Sequence, residues 1–376
     1  MMTDFSRRQM VGATLAAAVA APYISRPVQA QTSAYPPRAY PKQVVDLVNE
    51  SLVIDMLHPL KIAEQPEPMT EKLAAEFRSS GITAMHHANG IGGPDARDMV
   101  LTFYMMWTHY IAVNSHVLTG VSKMADILRA KRDGKVAVII GVQNADHFQK
   151  KEDVQTFYNV GQRVSQLTYN SQNRLGSGST ERVDGGLTDY GAVIIEEMHK
   201  VGMLVDVSHC GDRTTLDAIA ASSKPIAITH SNCRSLTNHP RLKTDEAIKA
   251  CAAKGGVMGI AGVRNFVSST EPTTITQLVD HFDYAVKLIG IDHVGLGSDL
   301  DMHGYDDMPA ELRKSMKEIT GPKYLWRDKI DTDGFDHPRR VYDLTEELLR
   351  RRYSKDNIKA VLGGNFARLL TATWGG

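Results

Sequence analysis

Residues 203–230 read MLVDVSHCGDRTTLDAIAASSKPIAITH. A short β-branched apolar run, 203–209, leads into a helical pattern over 214–222 and then a second apolar run, 225–230. Strand, helix and strand in that order form a parallel unit joined by a crossover. Outward from this stretch the alternation repeats. Runs of strand character fall at 52–57, 82–87, 136–143, 164–169, 203–209, 225–230, 256–262 and 294–299, and helical patterns at 71–79, 95–132, 153–160, 190–201, 214–222, 245–254 and 276–289. A C-terminal pair follows at 344–351 and 355–362. Eight units in about 250 residues are the size and period of a (β/α)8 TIM barrel, here a single α/β domain with C-terminal helices. A doubly wound sheet opens with a glycine-rich turn, but Asp55-Met56-Leu57-His58-Pro59 has no glycine. The charged segment 300–340 is long for a barrel loop, and reads either as a lid on the mouth or as a solvated loop.

The chain has 376 residues, with 43 Lys+Arg against 43 Asp+Glu. No basic excess is left to grip nucleic acid. Ser6-Arg7-Arg8 precedes a mild apolar run, and Val28-Gln29-Ala30 has the form of a cleavage site, so residues 1–30 resemble a twin-arginine signal and predict a periplasmic or secreted protein. The run is too short to span a membrane. Removing residues 1–30 takes Arg7, Arg8, Arg26 and Asp4, which leaves a net charge of −2. Residues 31–41 read as a linker and 42–376 as the barrel domain. Cys210, Cys233 and Cys251 cannot form a disulfide framework, and Cys210 and Cys233, near the two histidines, fit small buried apolar positions better than soft ligands or nucleophiles. The aromatic residues 103–107 lie on an apolar helix and read as packing.

Barrel active sites are built at the C-terminal ends of strands. Those ends carry Asp55 with His58, His86-His87, Gln143, Tyr169, His209, His230 and Asp299. A polar group buried there without a partner costs several kcal/mol, about 2–7. Several such residues converging on one mouth therefore point to a site. Ser208-His209 and Thr229-His230 lie on consecutive strands, close enough for two imidazoles to share one ion, and Asp299 adds a carboxylate for metal or proton transfer. No His-Glu-x-x-His helix is present, which excludes a zincin-type protease.

Ordered blocks carry a closer resemblance: Leu187-Thr188-Asp189-Tyr190-Gly191, Gly202 to His209, Ile228-Thr229-His230-Ser231, His239-Pro240-Arg241, Asp292 to Asp299, and Leu362-Gly363-Gly364-Asn365-Phe366-Ala367-Arg368. Together, from about Val53 to Leu370, the chain resembles the renal (membrane) dipeptidase family of zinc-dependent, amidohydrolase-type barrels. The resemblance implies that His209 and His230 hold zinc, that Arg241 binds the substrate carboxylate, and that Asp299 serves the metal centre and proton transfer. It also shows departures. The family's first-strand His-x-Asp falls on Leu57 and Pro59, which cannot bind metal. Its bridging glutamate falls on Gln143, a neutral and weaker ligand, and an oxyanion-stabilising histidine falls on Tyr169, whose hydroxyl can still donate.

The expected protein is an exported metal-dependent dipeptidase-like hydrolase. It would carry one zinc on His209 and His230 with Gln143, two ions being open if Asp55, His58, His86 and His87 rebuild a second site. Its partner would be a dipeptide or similar small molecule, with a homodimer left open. The alternatives are a hydrolysis-deficient substrate-binding or maturation protein on the same barrel, or a lyase or isomerase acting on a carboxylate-bearing substrate.

Overall fold

The computed structural model describes residues 38–60 and 67–375. The reading of residues 1–30 as an export signal lies outside them. Nine strands occur among the described residues, all paired in parallel: β1 (Ile54–Asp55), β2 (Ala84–Asn89), β3 (Leu118–Gly120), β4 (Val136–Val142), β5 (Val164–Gln166), β6 (Leu204–Asp206), β7 (Ala227–Ser231), β8 (Val257–Ile260) and β9 (Val294–Leu296). β1 lies between β2 and β9, and β2 pairs with β4, so eight strands close into a ring. This is the (β/α)8 barrel that the alternation predicts.

The ninth strand corrects the sequence reading. Residues 95–132 do not form one helix; they divide into Ala96–Val113, β3 and Met124–Arg132. Asn114 makes the break. Its amide donates to Tyr110 O, its carbonyl accepts from Met69 N, and its backbone N–H closes the helix on Tyr110 O. Asn competes with helical backbone bonding in this way. β3 then takes the lower part of the edge of β4 that β5 takes higher up, at Gly141 and Val142. The remaining helices begin within two residues of expectation at several caps, where Thr70, Thr188 and Thr244 accept the N–H three residues on.

Alternate strand residues enter two different apolar clusters, as the period of two requires. Met85, Val138, Val205, Ile228 and Met258 face the helical shell, while Ala84, Ile139, Val164, Leu204, Ala227 and Val257 join a lower cluster with Phe366, Leu369, Leu370 and Trp374. Those last four come from the helix Asn365–Trp374, which plugs the bottom of the barrel. One step nearer the strands' C-terminal ends the wall carries His86, Gln166, Asp206 and Thr229, with Gly259 on β8 and Gly297 just beyond β9.

The two glycines are required by the Thr229 carbonyl. A Cβ on Gly259 would stand 2.1 Å from Thr229 O, and one on Gly297 only 1.9 Å from it. Neighbouring backbone cannot yield as a side chain can. Gly297→Ala is therefore expected to destabilise the barrel by about 1–3 kcal/mol or more, seen as a fall in the thermal midpoint; an unchanged midpoint would show that the wall can spread.

Candidate active site

Strand ends bring His209 and His230 together. Both are almost fully buried, and their Nε2 atoms stand 3.0 Å apart. The partners on the other ring nitrogens fix both tautomers. His209 Nδ1 lies 2.7 Å from Asn170 Oδ1, an acceptor only. His230 Nδ1 lies 2.7 Å from Thr229 Oγ1, whose own proton goes to Asp206 Oδ2 at 2.7 Å. Each imidazole thus holds its proton on Nδ1 and turns an Nε2 lone pair toward the other. Protonation is disfavoured, because burial, and then the Arg241 guanidinium, hold both rings well below the usual histidine pKa. Two facing lone pairs at hydrogen-bond distance with no proton to share are satisfied by a cation between them. Imidazole nitrogens in this arrangement, each braced by an oxygen, suit zinc.

The facing pair offers two ligand nitrogens for one ion. Among the described residues no group of three or more His, Cys, Asp and Glu gathers as a metal site. Each of the four residues expected as a second centre is engaged through other atoms, while the Nε2 atoms of His58, His86 and His87 are buried with no partner among the described residues. Asp55 accepts from Ser298 N at 2.7 Å and Ser298 Oγ at 2.5 Å. His58 Nδ1 lies between Asp55 at 3.3 Å and the Arg340 guanidinium at 3.2 Å. His86 Nδ1 donates to Met56 O. His87 turns into the helical shell, its ring centre 4.0 Å from that of Trp107. Arg340 is buried beside Asp55 and bonds the carbonyls of Leu300 and Asp301, so a fixed guanidinium charge stands in this quarter of the mouth. Gln143 spends its amide N–H on Ala88 O at 2.9 Å, which leaves Oε1 as its metal-capable atom.

Asp299 ends the β9 unit in the left-handed region, with φ of 56°, and its N–H donates to Leu57 O. Such a backbone in a non-glycine residue is uncommon and gathers at functional positions. Burial pushes its carboxyl up to about 7, against the lowering effect of Arg241 and a hydrogen bond from Tyr305. A carboxyl titrating there is suited to exchanging protons at neutral pH. The Tyr169 ring stacks on His209, with centroids 4.3 Å apart, and burial raises its phenol to about 12, so it stays a donor.

Arg241 is fully buried and partly committed. One terminal nitrogen donates to Ser208 O and the other to His230 O at 2.8 Å, while Nε has no partner among the described residues. The segment 300–340 contains the helix Ala310–Thr320 and meets residues beyond the strand ends, Lys323 at Thr180 O, Tyr324 O at His239 and Arg340 at His58, as a lid on the mouth would. All three cysteines are buried and free, as expected.

Sequence reasoning missed the bracing residues. Asn170, at φ 58°, lies one position beyond Tyr169, and the hydroxyls of Ser208 and Thr229 each precede a histidine. Asp206 ties them together: its Oδ1 accepts from Ser208 Oγ at 2.6 Å and from Thr229 N, its Oδ2 from Thr229 Oγ1. Arg340, Tyr305 and Tyr324 carried no signal.

The membrane dipeptidase (peptidase family M19) profile matches residues 44–320. The dipeptidase verJ of Clonostachys rogersoniana is 29% identical over 249 residues, 65% of this chain and 58% of that protein. An uncharacterized protein encoded in the pqqA 5′ region of Klebsiella pneumoniae is 34% identical over 226 residues, 54% of this chain and 83% of that one. The crystal structure of an amidohydrolase from Pseudomonas aeruginosa superimposes with a TM-score of 0.77 at 31% identity, covering 89% of this chain and 99% of its own. The match to the fungal dipeptidase thus spans less than two thirds of that protein.

Proposed function

The chain belongs to the membrane dipeptidase family, and from that premise we propose that it is an exported metal-dependent hydrolase of small peptides bearing a free carboxylate. The observation that carries the proposal is the pair of Nε2 lone pairs 3.0 Å apart. His209 and His230 would hold one zinc ion, with Gln143 the nearest expected addition. When bound, the ion would supply Lewis acidity toward the scissile carbonyl. The rest falls to side chains of the chain itself. Asp299 takes the proton of the attacking water and returns it to the leaving amine, a task suited to its raised pKa. Tyr169, a phenol held protonated by burial, donates to the developing oxyanion. Arg241 directs its unpartnered Nε–H at the substrate carboxylate.

One observation favours a second reading, a binding protein that has lost hydrolysis. Leu57 and Pro59 stand where the family's first-strand ligands are expected, and Arg340 adds a fixed positive charge beside Asp55. Metal counting on purified protein, together with assays on a dipeptide panel, separates the two. About one metal per chain with hydrolysis supports the proposal; none, with binding alone, supports the second reading; and two would overturn the single-ion assignment. Export is tested by replacing Arg7 and Arg8 with lysine, which should leave the protein in the cytoplasm if the twin-arginine reading holds.

A further inference from the structure

We propose that Tyr324 is a specificity-determining residue: its phenol and the Arg241 Nε–H form a two-donor clamp for the substrate carboxylate, split between lid and barrel. The inference rests on the hydrolase reading only for the identity of the substrate; the clamp itself is argued from contacts. Arg241 has two of its three nitrogens engaged by strand-end carbonyls, and its buried Nε–H has no partner among the described residues. A buried, unpaired guanidinium N–H is costly, and a carboxylate oxygen satisfies it. The Tyr324 ring packs on Phe266, centroids 5.6 Å apart, and the Arg241 guanidinium carbon stands 5.6 Å over that same Phe266 ring, which sets the phenol beside the guanidinium; burial keeps the phenol protonated. A carboxylate beside Arg241 would therefore meet one N–H and one O–H, one donor for each oxygen.

Tyr324 is fixed from the rim. The His239 Nδ1 accepts from Arg241 N at 3.1 Å, so its proton lies on Nε2, which donates to Tyr324 O at 2.8 Å. Asn265 Nδ2 donates to the same carbonyl at 2.8 Å. The phenol ring packs on Phe266 and Trp326. Leu300, Met302, Ile330 and Phe335 anchor the two ends of the lid in the core, whereas between them Lys323 Nζ bonds Thr180 O at 2.9 Å, Arg327 bonds Ser268 O at 2.9 Å, and the helix Ala310–Thr320 buries no residue. A segment held by exposed hydrogen bonds opens at lower cost than one held by buried apolar surface. With Arg241 fully enclosed, the lid must open to admit substrate and close to complete the clamp. A substrate lacking the carboxylate gives Tyr324 nothing to close on.

The test compares Ala-Ala with Ala-alaninamide, in L,L and L,D forms, on the metal-loaded protein. Affinity is read as KM where the peptide is cleaved and as Kd by calorimetry where it is not. The wild type should prefer the free carboxylate by about ten-fold or more, and Tyr324→Phe, which keeps the ring and its packing, should lose about ten-fold of that preference, the expected effect of one hydrogen bond to a charged group. Tyr305→Phe removes the lid hydroxyl that faces Asp299 and should lower kcat while the preference survives. A wild type without the preference, a Tyr324→Phe protein that keeps it, or equal losses in both variants would overturn the clamp. Tyr324-dependent binding without cleavage would sink the hydrolase reading and leave the clamp standing. Cleavage indifferent to the carboxylate would do the reverse.

Discussion

His230→Ala should carry no bound metal and should hydrolyse dipeptides at roughly four orders of magnitude below the wild type. The size follows from the several kcal/mol of transition-state stabilisation that a Lewis-acidic ion provides, at about 1.4 kcal/mol per factor of ten. With the His209 and His230 Nε2 atoms facing each other at 3.0 Å, removing one leaves a single neutral nitrogen of that pair, which cannot hold zinc against water. Metal per chain by elemental analysis and kcat/KM on the best dipeptide are the measurements. Residual hydrolysis near the wild-type level in a metal-free variant would refute the site. Because His230 is buried, the circular dichroism spectrum should be recorded alongside, so that loss of metal is distinguished from loss of fold.

Asp299→Asn should impair catalysis and stabilise the protein in one substitution. As the proton carrier it contributes a factor of about 10²–10⁴, and an amide cannot replace it. Stability changes the other way. Burial pushes the folded carboxyl up to about 7, well above the ordinary carboxylate range, so the folded state binds the proton more tightly than the unfolded chain. Stability from this group is therefore fully present below the unfolded value, declines as pH rises, and is gone above about 7, where a buried carboxylate must be carried. The asparagine variant, treated with chelator to remove any ion, should melt higher than wild type at pH 8 and alike at pH 4. The gain is at most on the order of a few kcal/mol. Equal midpoints at pH 8 would show that Asp299 ionises there without cost.

The barrel was legible because the eight strands of the ring are compact apolar runs, most with a polar end, and several of the helices between them carry their own caps. The error at 95–132 has a physical source. Val117, Val121, Met124 and Ile127 continue an apolar helical period across the break, and only the side chain of Asn114, bonded to a residue 45 positions earlier, stops the helix. At the site, His209, His230, Asp299 and Tyr169 could be read from strand ends. What could not be read is what orients them. Asn170 and Asp299 act from left-handed backbone conformations, and Asp206 acts by collecting hydroxyls from two strands. Arg241 was legible as a residue, but two of its nitrogens go to carbonyls rather than outward, and Tyr324, 83 positions away, reaches it only because the long final loop folds back across the mouth.

The helix Asn365–Trp374 that plugs the barrel floor sets when the molecule can become itself. Phe366 fills the space left by Gly295, Trp374 Nε1 donates to Arg163 O, and a Cβ on Gly363 would stand 2.0 Å from Leu52 O, so parts of the core far apart in the chain are completed together. β1 likewise has no second neighbour until β9 exists. Until residue 374 has cleared the ribosome tunnel the lower core stays open to water. A nascent chain that lacks this helix is therefore an incomplete barrel with exposed apolar strands, the kind of species prone to aggregate.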